Sequence, residues 1–248
     1  MARIKLFTEN ILEEGTVTVT GDADTGYPES RLYDRSTSLF WKDTVTESKT
    51  FQIINVSGEV DLLAIERHNF SGQNMRWQYS SDAFVTDIQS GEGCQWVQSD
   101  NNQIIKELDD PIAANMDWRL IVSGELTNPK CSEIFMSGGR EFRVRFDVNP
   151  EWEDQANVLW REGIGFSRST KLSDKRRVRD YHLFLDENTD EITEFRAAMA
   201  DLDDYTKPFY IKDHEDNYFM CRFLEQPREV FLTEGHVLMK FSIIEELG

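Results

Sequence analysis

The sequence predicts a mostly β protein of α+β class, built as two domains in which strands dominate and one helix stands alone. Three observations predict it. Short apolar runs alternate with period two and are punctuated by Gly, Pro, Asn and Asp. One segment, Asn188 to Leu202, carries an apolar period of three and four residues. A chain of 248 residues, 39% hydrophobic and 12% aromatic, is long enough for two cores at about 100–150 residues each.

Along the chain, Val17 to Tyr33 is turn-rich, and Ser38 to Trp41 and Thr50 to Val56 follow as short strands. Asp61 to Glu66 is a dense apolar run of buried-strand length, and Met75, Trp77 and Tyr79 share one face of the strand Met75 to Ser80. Asp117 to Ser123 and Glu133 to Met136 extend the pattern, and Phe142 to Val148 alternates Phe142, Val144 and Phe146 against charged neighbours. Pro150 and a burst of acid interrupt the strands at Asn149 to Asp154, which sets the expected domains at 1–148 and 149–248. In the second domain Arg179 to Leu185 reads as a strand. Ile192, Phe195, Ala198, Met199 and Leu202 then form the stripe of a helix near 188–202, capped by Asn188 or Thr189. Pro208 to Ile211, Tyr218 to Phe223 and Val237 to Ile244 close the chain as strands, with the acidic run Asp213 to Asn217 as a hairpin turn.

A formal net charge of -19 repels phosphate backbones and anionic lipid unless a local basic patch overrides the field. Neither nucleic acid nor membrane insertion is therefore expected. The dense basic run of Arg168, Lys171, Lys175, Arg176, Arg177 and Arg179 has no apolar period, so it reads as a solvated loop available for subunit contact. Cys94, Cys131 and Cys221 are odd in number and widely spaced, which indicates neither a disulfide framework nor a zinc site and suits a reducing compartment. No signal peptide is expected from the first residues, and no apolar run reaches the roughly 18 residues that span a bilayer.

No GxSxG, Walker or dinucleotide glycine pattern occurs, and the four histidines lack metal-ligand spacing, so the chain is expected to be no enzyme and to need no metal or cofactor. A glycosidase pair cannot be picked from 46 acids by sequence spacing. The candidate glycan contacts are His68 and Asn69, at the end of a buried strand, with Trp77 and Tyr79. Tyr27, Trp41, Trp77, Tyr79 and Trp96 are the pool for an aromatic platform, most of it expected in the core.

The series YPESRLYDRSTSLFWKD, FQIINV, VDLLAIERHNFSG, MRWQYSSD, DWRLIVSG and EIFMSG, over residues 17–140, resembles the discoidin-like, or galactose-binding-like, β-sandwich. Tyr33-Asp34 and Phe40-Trp41, His68-Asn69, and Trp118-Arg119 carry that likeness. Sandwiches with the "RHN" strand end look like those of siphophage and prophage tail proteins. The later order of FRAAM helix, KPFYI, YFMCRF and a final strand looks similar to distal-tail and baseplate proteins. The resemblance implies a structural part of a tail tip, assembled in the host cytoplasm into a ring of its own copies beside neighbouring tail proteins. Its alternative implication is a carbohydrate-binding module for a host glycan.

Overall fold

The computed structural model describes residues 3–15, 17–21, 24–144, 153–155, 158–163, 166–171, 176–186, 189–203, 205–233 and 235–246. They form two compact units, one from Phe7 to Gly139 and one combining the residues up to Leu6 with those from Arg140 onward. Strand β1 (Arg3–Phe7) opens the chain and pairs in the second unit.

The first unit holds β2 (Thr18–Val19), β3 (Trp41–Lys42), β4 (Lys49–Val56), β5 (Val60–Glu66), β6 (Asn74–Ser80), β7 (Gln95–Val97), β8 (Ile104–Ile112), β9 (Met116–Ser123), β10 (Lys130–Cys131) and β11 (Glu133–Ser137). A five-stranded sheet ordered β2-β4-β9-β6-β7 and a three-stranded sheet ordered β11-β5-β8 share one core, the arrangement of a β-sandwich. Period-two alternation fills it: Met75 and Trp77 from β6 and Trp118, Leu120 and Val122 from β9 meet Leu63 and Ile65 from β5 and Ile134 and Met136 from β11. Trp77 and Trp118 pack with ring centroids 5.0 Å apart.

Strand β8 carries Pro111 within its span. It is tolerated because β8 is the edge of its sheet and the β5 register shifts between Val60 and Leu62, so proline forfeits no central ladder bond. The strand expected at Ser38 to Trp41 shrinks to Trp41–Lys42, leaving Phe40 in the loop before it.

In the second unit, β12 (Arg140–Arg143), β13 (Glu153–Gln155), β16 (Arg176–Asp186), β17 (Phe209–Lys212), β18 (Tyr218–Phe223), β19 (Arg228–Thr233) and β20 (His236–Glu245) join β1 in an eight-stranded sheet. β14 (Val158–Gly163) and β15 (Phe166–Lys171) pair as a separate hairpin. α1 (Glu191–Asp201), the one α-helix among the described residues, buries Ile192, Phe195 and Ala198, the predicted stripe. Its cap is Asp190, whose side chain makes no capping bond, while Thr189 Oγ1 accepts weakly from Glu191 N at 3.4 Å. Phe142 and Phe195 meet edge to face at 5.4 Å, fixing the helix against the sheet.

The division between units lies at Gly139 and Arg140 rather than at 148 and 149. Phe142 pairs with Ile4 and Val144 bridges to Leu183, so the alternating strand read into the sandwich belongs to the other core. Alternation shows that one face is buried; it does not show against which core. Positions 145–148 of that strand and 149–152 of the expected seam lie outside the described residues.

Candidate functional site

A cleft of about 390 Å³ opens on the sandwich unit, lined by Tyr27, Phe40, Lys42, Asn128 and Lys130. Its floor is the two-residue ladder between β3 and β10, in which Lys42 lies opposite Lys130 and Trp41 opposite Cys131. Directly opposed residues share a sheet face, so the two lysines emerge together while Trp41 and Cys131, both fully buried, enter the core. Like charges directly opposite destabilise a sheet pair, and here each ammonium meets an aromatic ring and, among the described residues, no carboxylate. Lys42 Nζ is 5.5 Å from the Tyr27 ring centroid and Lys130 Nζ is 5.4 Å from that of Phe40. Arg31 and Arg67 complete the set, 5.4 Å over Tyr27 and 5.5 Å over Phe40. Each exposed cation–π contact stabilises by about 0.5–1 kcal/mol.

The cleft walls are held by the loops around them. Arg67, at φ 45°, donates from Nη1 to Thr37 O at 2.9 Å, and Arg31 Nη1 reaches Phe40 O at 3.5 Å. Asn69 clamps the opposite wall: its Nδ2 donates to Asn128 O at 3.0 Å and its Oδ1 accepts from Lys130 N at 2.9 Å. Asn128 holds a left-handed φ of 48°, a conformation asparagine tolerates better than most residues, and lines the cleft. Tyr27 belonged to the expected aromatic pool. Phe40, Lys42, Asn128, Lys130, Arg31 and Arg67 did not, because segments far apart in sequence bring them together.

The expected glycan contacts are placed differently. His68 is 3% exposed, stacked on Phe70 with centroids 5.1 Å apart, and bonded through Nε2 to Asn102 O at 2.5 Å. Its Nδ1 accepts from Phe70 N at 3.1 Å, which assigns the proton to Nε2. Trp77 is 1% exposed and belongs to the core, and Tyr79, half-buried, packs against it on Trp118 at 5.3 Å. Asn69 alone of the four reaches the cleft, as its clamp. From the pool, Trp41 is core, and Trp96 is half-buried with Nε1 donating to Gln98 Oε1 at 3.1 Å.

Burial holds the His68 pKa below its usual value, opposed by the Asn102 bond and the charge of Asp100. An unfolded histidine takes up a proton near pH 6.5, where the folded one stays neutral. Stability is then complete above that pH and is lost as pH falls toward the folded pKa. The expected result is a lower urea midpoint at pH 5.5 than at pH 7.5, with a smaller difference in His68→Gln. An equal difference in both proteins assigns the loss to other groups.

The basic cluster is not a loop. Arg168 and Lys171 lie in β15, and Arg176, Arg177 and Arg179 in β16, with Lys175 outside the described residues. Arg177 makes a two-toothed pair with Glu245, and Arg179, buried, donates to Asp213 Oδ2 at 2.8 Å. Long-range pairing converts these two from solvated charges into ties of the second unit. The turn at 213–217 is organised by the same Asp213, whose Oδ1 accepts from Glu215 N and Asn217 N at 2.9 Å each. In a smaller cleft of about 90 Å³, Arg3 pairs with Glu141 at 2.6 Å and Lys212 with Asp216 at 3.4 Å.

Among the described residues no group of three or more His, Cys, Asp or Glu is placed to hold a metal ion, and no helix is long and apolar enough to cross a membrane. The three cysteines are buried thiols, and burial raises the pKa of each.

No protein-family model and no curated protein matches the chain. Among solved structures, chitosan-binding module 1 of a chitosanase/glucanase from Paenibacillus sp. IK-5 aligns at 16% identity and a TM-score of 0.42, over 52% of this chain and 99% of that one. A Clostridium perfringens module in complex with GalNAc-β-1,3-galactose aligns at 11% and 0.41, over 54% and 99%. The family 32 CBM from C. perfringens NanJ in complex with galactose aligns at 16% and 0.39, over 54% and 99%. None of the three is described as a phage tail or baseplate protein. The chain is mostly β, with a sandwich in its first unit, and these values attach no family to it.

Proposed function

We propose that the sandwich unit binds a saccharide, without turnover, in the cleft of Tyr27, Phe40, Lys42, Asn128 and Lys130. The observation that carries this reading is the convergence of two aromatic residues, an asparagine and two lysines on one concave surface. Rings supply apolar surface for the C–H face of a sugar, and amide and ammonium groups supply donors for its oxygens. Isothermal titration of the intact chain against a panel of neutral and acidic oligosaccharides tests it. Tyr27→Ala and Asn128→Gly, the second keeping a residue that accepts the left-handed φ of 48°, are each expected to weaken a bound glycan about tenfold, a change of about 1.4 kcal/mol, in a chain that still unfolds cooperatively. A panel with no binder, or a binder indifferent to both substitutions, rules the cleft out.

A second reading, a ring of identical copies in a tail tip, is favoured by one observation in the other unit. Among the described pairings β19 pairs only with β20, and Val230, Phe231 and Leu232 on it are 39%, 67% and 41% exposed. An open apolar edge is a template for pairing with another chain. Light scattering is expected to show an oligomer that Phe231→Asp reduces to monomer. A monomer at all concentrations, alone and with neighbouring tail proteins, removes this reading.

A further inference from the structure

We propose that the cleft selects saccharides bearing an oxyanion, a uronate carboxylate or a sulfate ester, over their neutral counterparts; this rests on the saccharide reading above. The chain carries a formal net charge of -19, yet four cations converge here. Arg31 lies in the field of Asp34 and, like Arg67, is tied to a loop carbonyl. Lys42 and Lys130 are different: among the described residues their ammonium groups meet rings and no carboxylate. They are also the opposed pair of the β3–β10 ladder, an arrangement in which like charges repel. An anion seated between them relieves that repulsion and takes two charge-assisted contacts.

Distant acids do not cancel this attraction. At physiological ionic strength charges beyond about 8 Å are largely screened, so the cleft acts through the two lysines that line it. A polycationic glycan is repelled by the same lysines, and a neutral glycan leaves them unmatched. Phe40 and Tyr27 keep a place for the sugar ring beside the anion, which a bare phosphate or sulfate ion would not use.

The test titrates the intact chain with oligogalacturonate, its methyl ester, a sulfated galactan oligomer and vesicles of mixed neutral and anionic lipid. The expected result is binding of the uronate or the sulfated glycan about tenfold tighter than the ester, equivalent to about 1.4 kcal/mol. The uronate and sulfate arms identify which oxyanion is preferred. The preference is expected to disappear in Lys42→Gln/Lys130→Gln, which removes two mutually repelling charges and should keep its unfolding midpoint. The acid-against-ester comparison on the unaltered chain needs no variant at all. Equal affinity for acid and ester overturns the selection and leaves saccharide binding intact. An unchanged preference in the double variant also overturns it, since the anion then sits elsewhere. Binding of no saccharide overturns both readings, whether or not the vesicles are bound.

Discussion

Lys49→Met is expected to destabilise the sandwich unit by about 3–5 kcal/mol, the cost of leaving a buried charge without its partner. Lys49 Nζ lies 2.7 Å from Asp43 Oδ2, and the two side chains are 0% and 1% exposed. Without the ammonium, Asp43 keeps the Val45 N–H at 2.7 Å on Oδ1 and little else to offset its desolvation. Gly21, at φ 102°, covers the pair so closely that any Cβ there would overlap Asp43 Oδ2 and Lys49 Nζ. Because Asp43 follows Lys42 directly, the pair also anchors one wall of the cleft. Lys49→Met/Asp43→Leu is expected to recover most of the loss, since an apolar pair of similar volume replaces the ion pair. Urea unfolding of both singles and the double closes the cycle. A single variant within about 1 kcal/mol of the parent, the size of an exposed ion pair, would mean that the pair is solvated.

Phe241→Ala is expected to cost the second unit about 3–5 kcal/mol, as large-to-small changes of buried phenylalanine do. Phe241, on β20 and 3% exposed, touches three rings from three other elements. Tyr181 of β16 is 5.5 Å away, Phe195 of α1 5.9 Å and Phe223 of β18 5.2 Å, the last nearly perpendicular. Its removal opens a void where helix and sheet meet, so α1 is expected to lose amide exchange protection beyond the global change. Hydrogen exchange read against urea unfolding checks both. Loss of protection uniform over the unit would show that α1 does not depend on this contact, and a cost below about 1 kcal/mol would show that the site collapses to fill the void.

The sequence by itself determined what depends on neighbours a few residues apart. The alternation of Met75 with Trp77 and the stripe of Ile192, Phe195 and Ala198 follow from backbone periods of 2.0 and 3.6, which any buried strand or helix imposes on its own residues. Tertiary structure alone decided what depends on register and distance. His68, at a strand end beside an asparagine, reads as a loop ligand until its two ring nitrogens are seen to hold Asn102 and Phe70 inside the fold. The dense basic run disperses into strands, where Glu245 and Asp213 take up Arg177 and Arg179. The basic set around the cleft's two rings is invisible as a run, because Arg31, Lys42, Arg67 and Lys130 come from four separate stretches of chain. Only the β3–β10 register sets Lys42 against Lys130 on one face, and a slip of one residue would have put the two lysines on opposite faces.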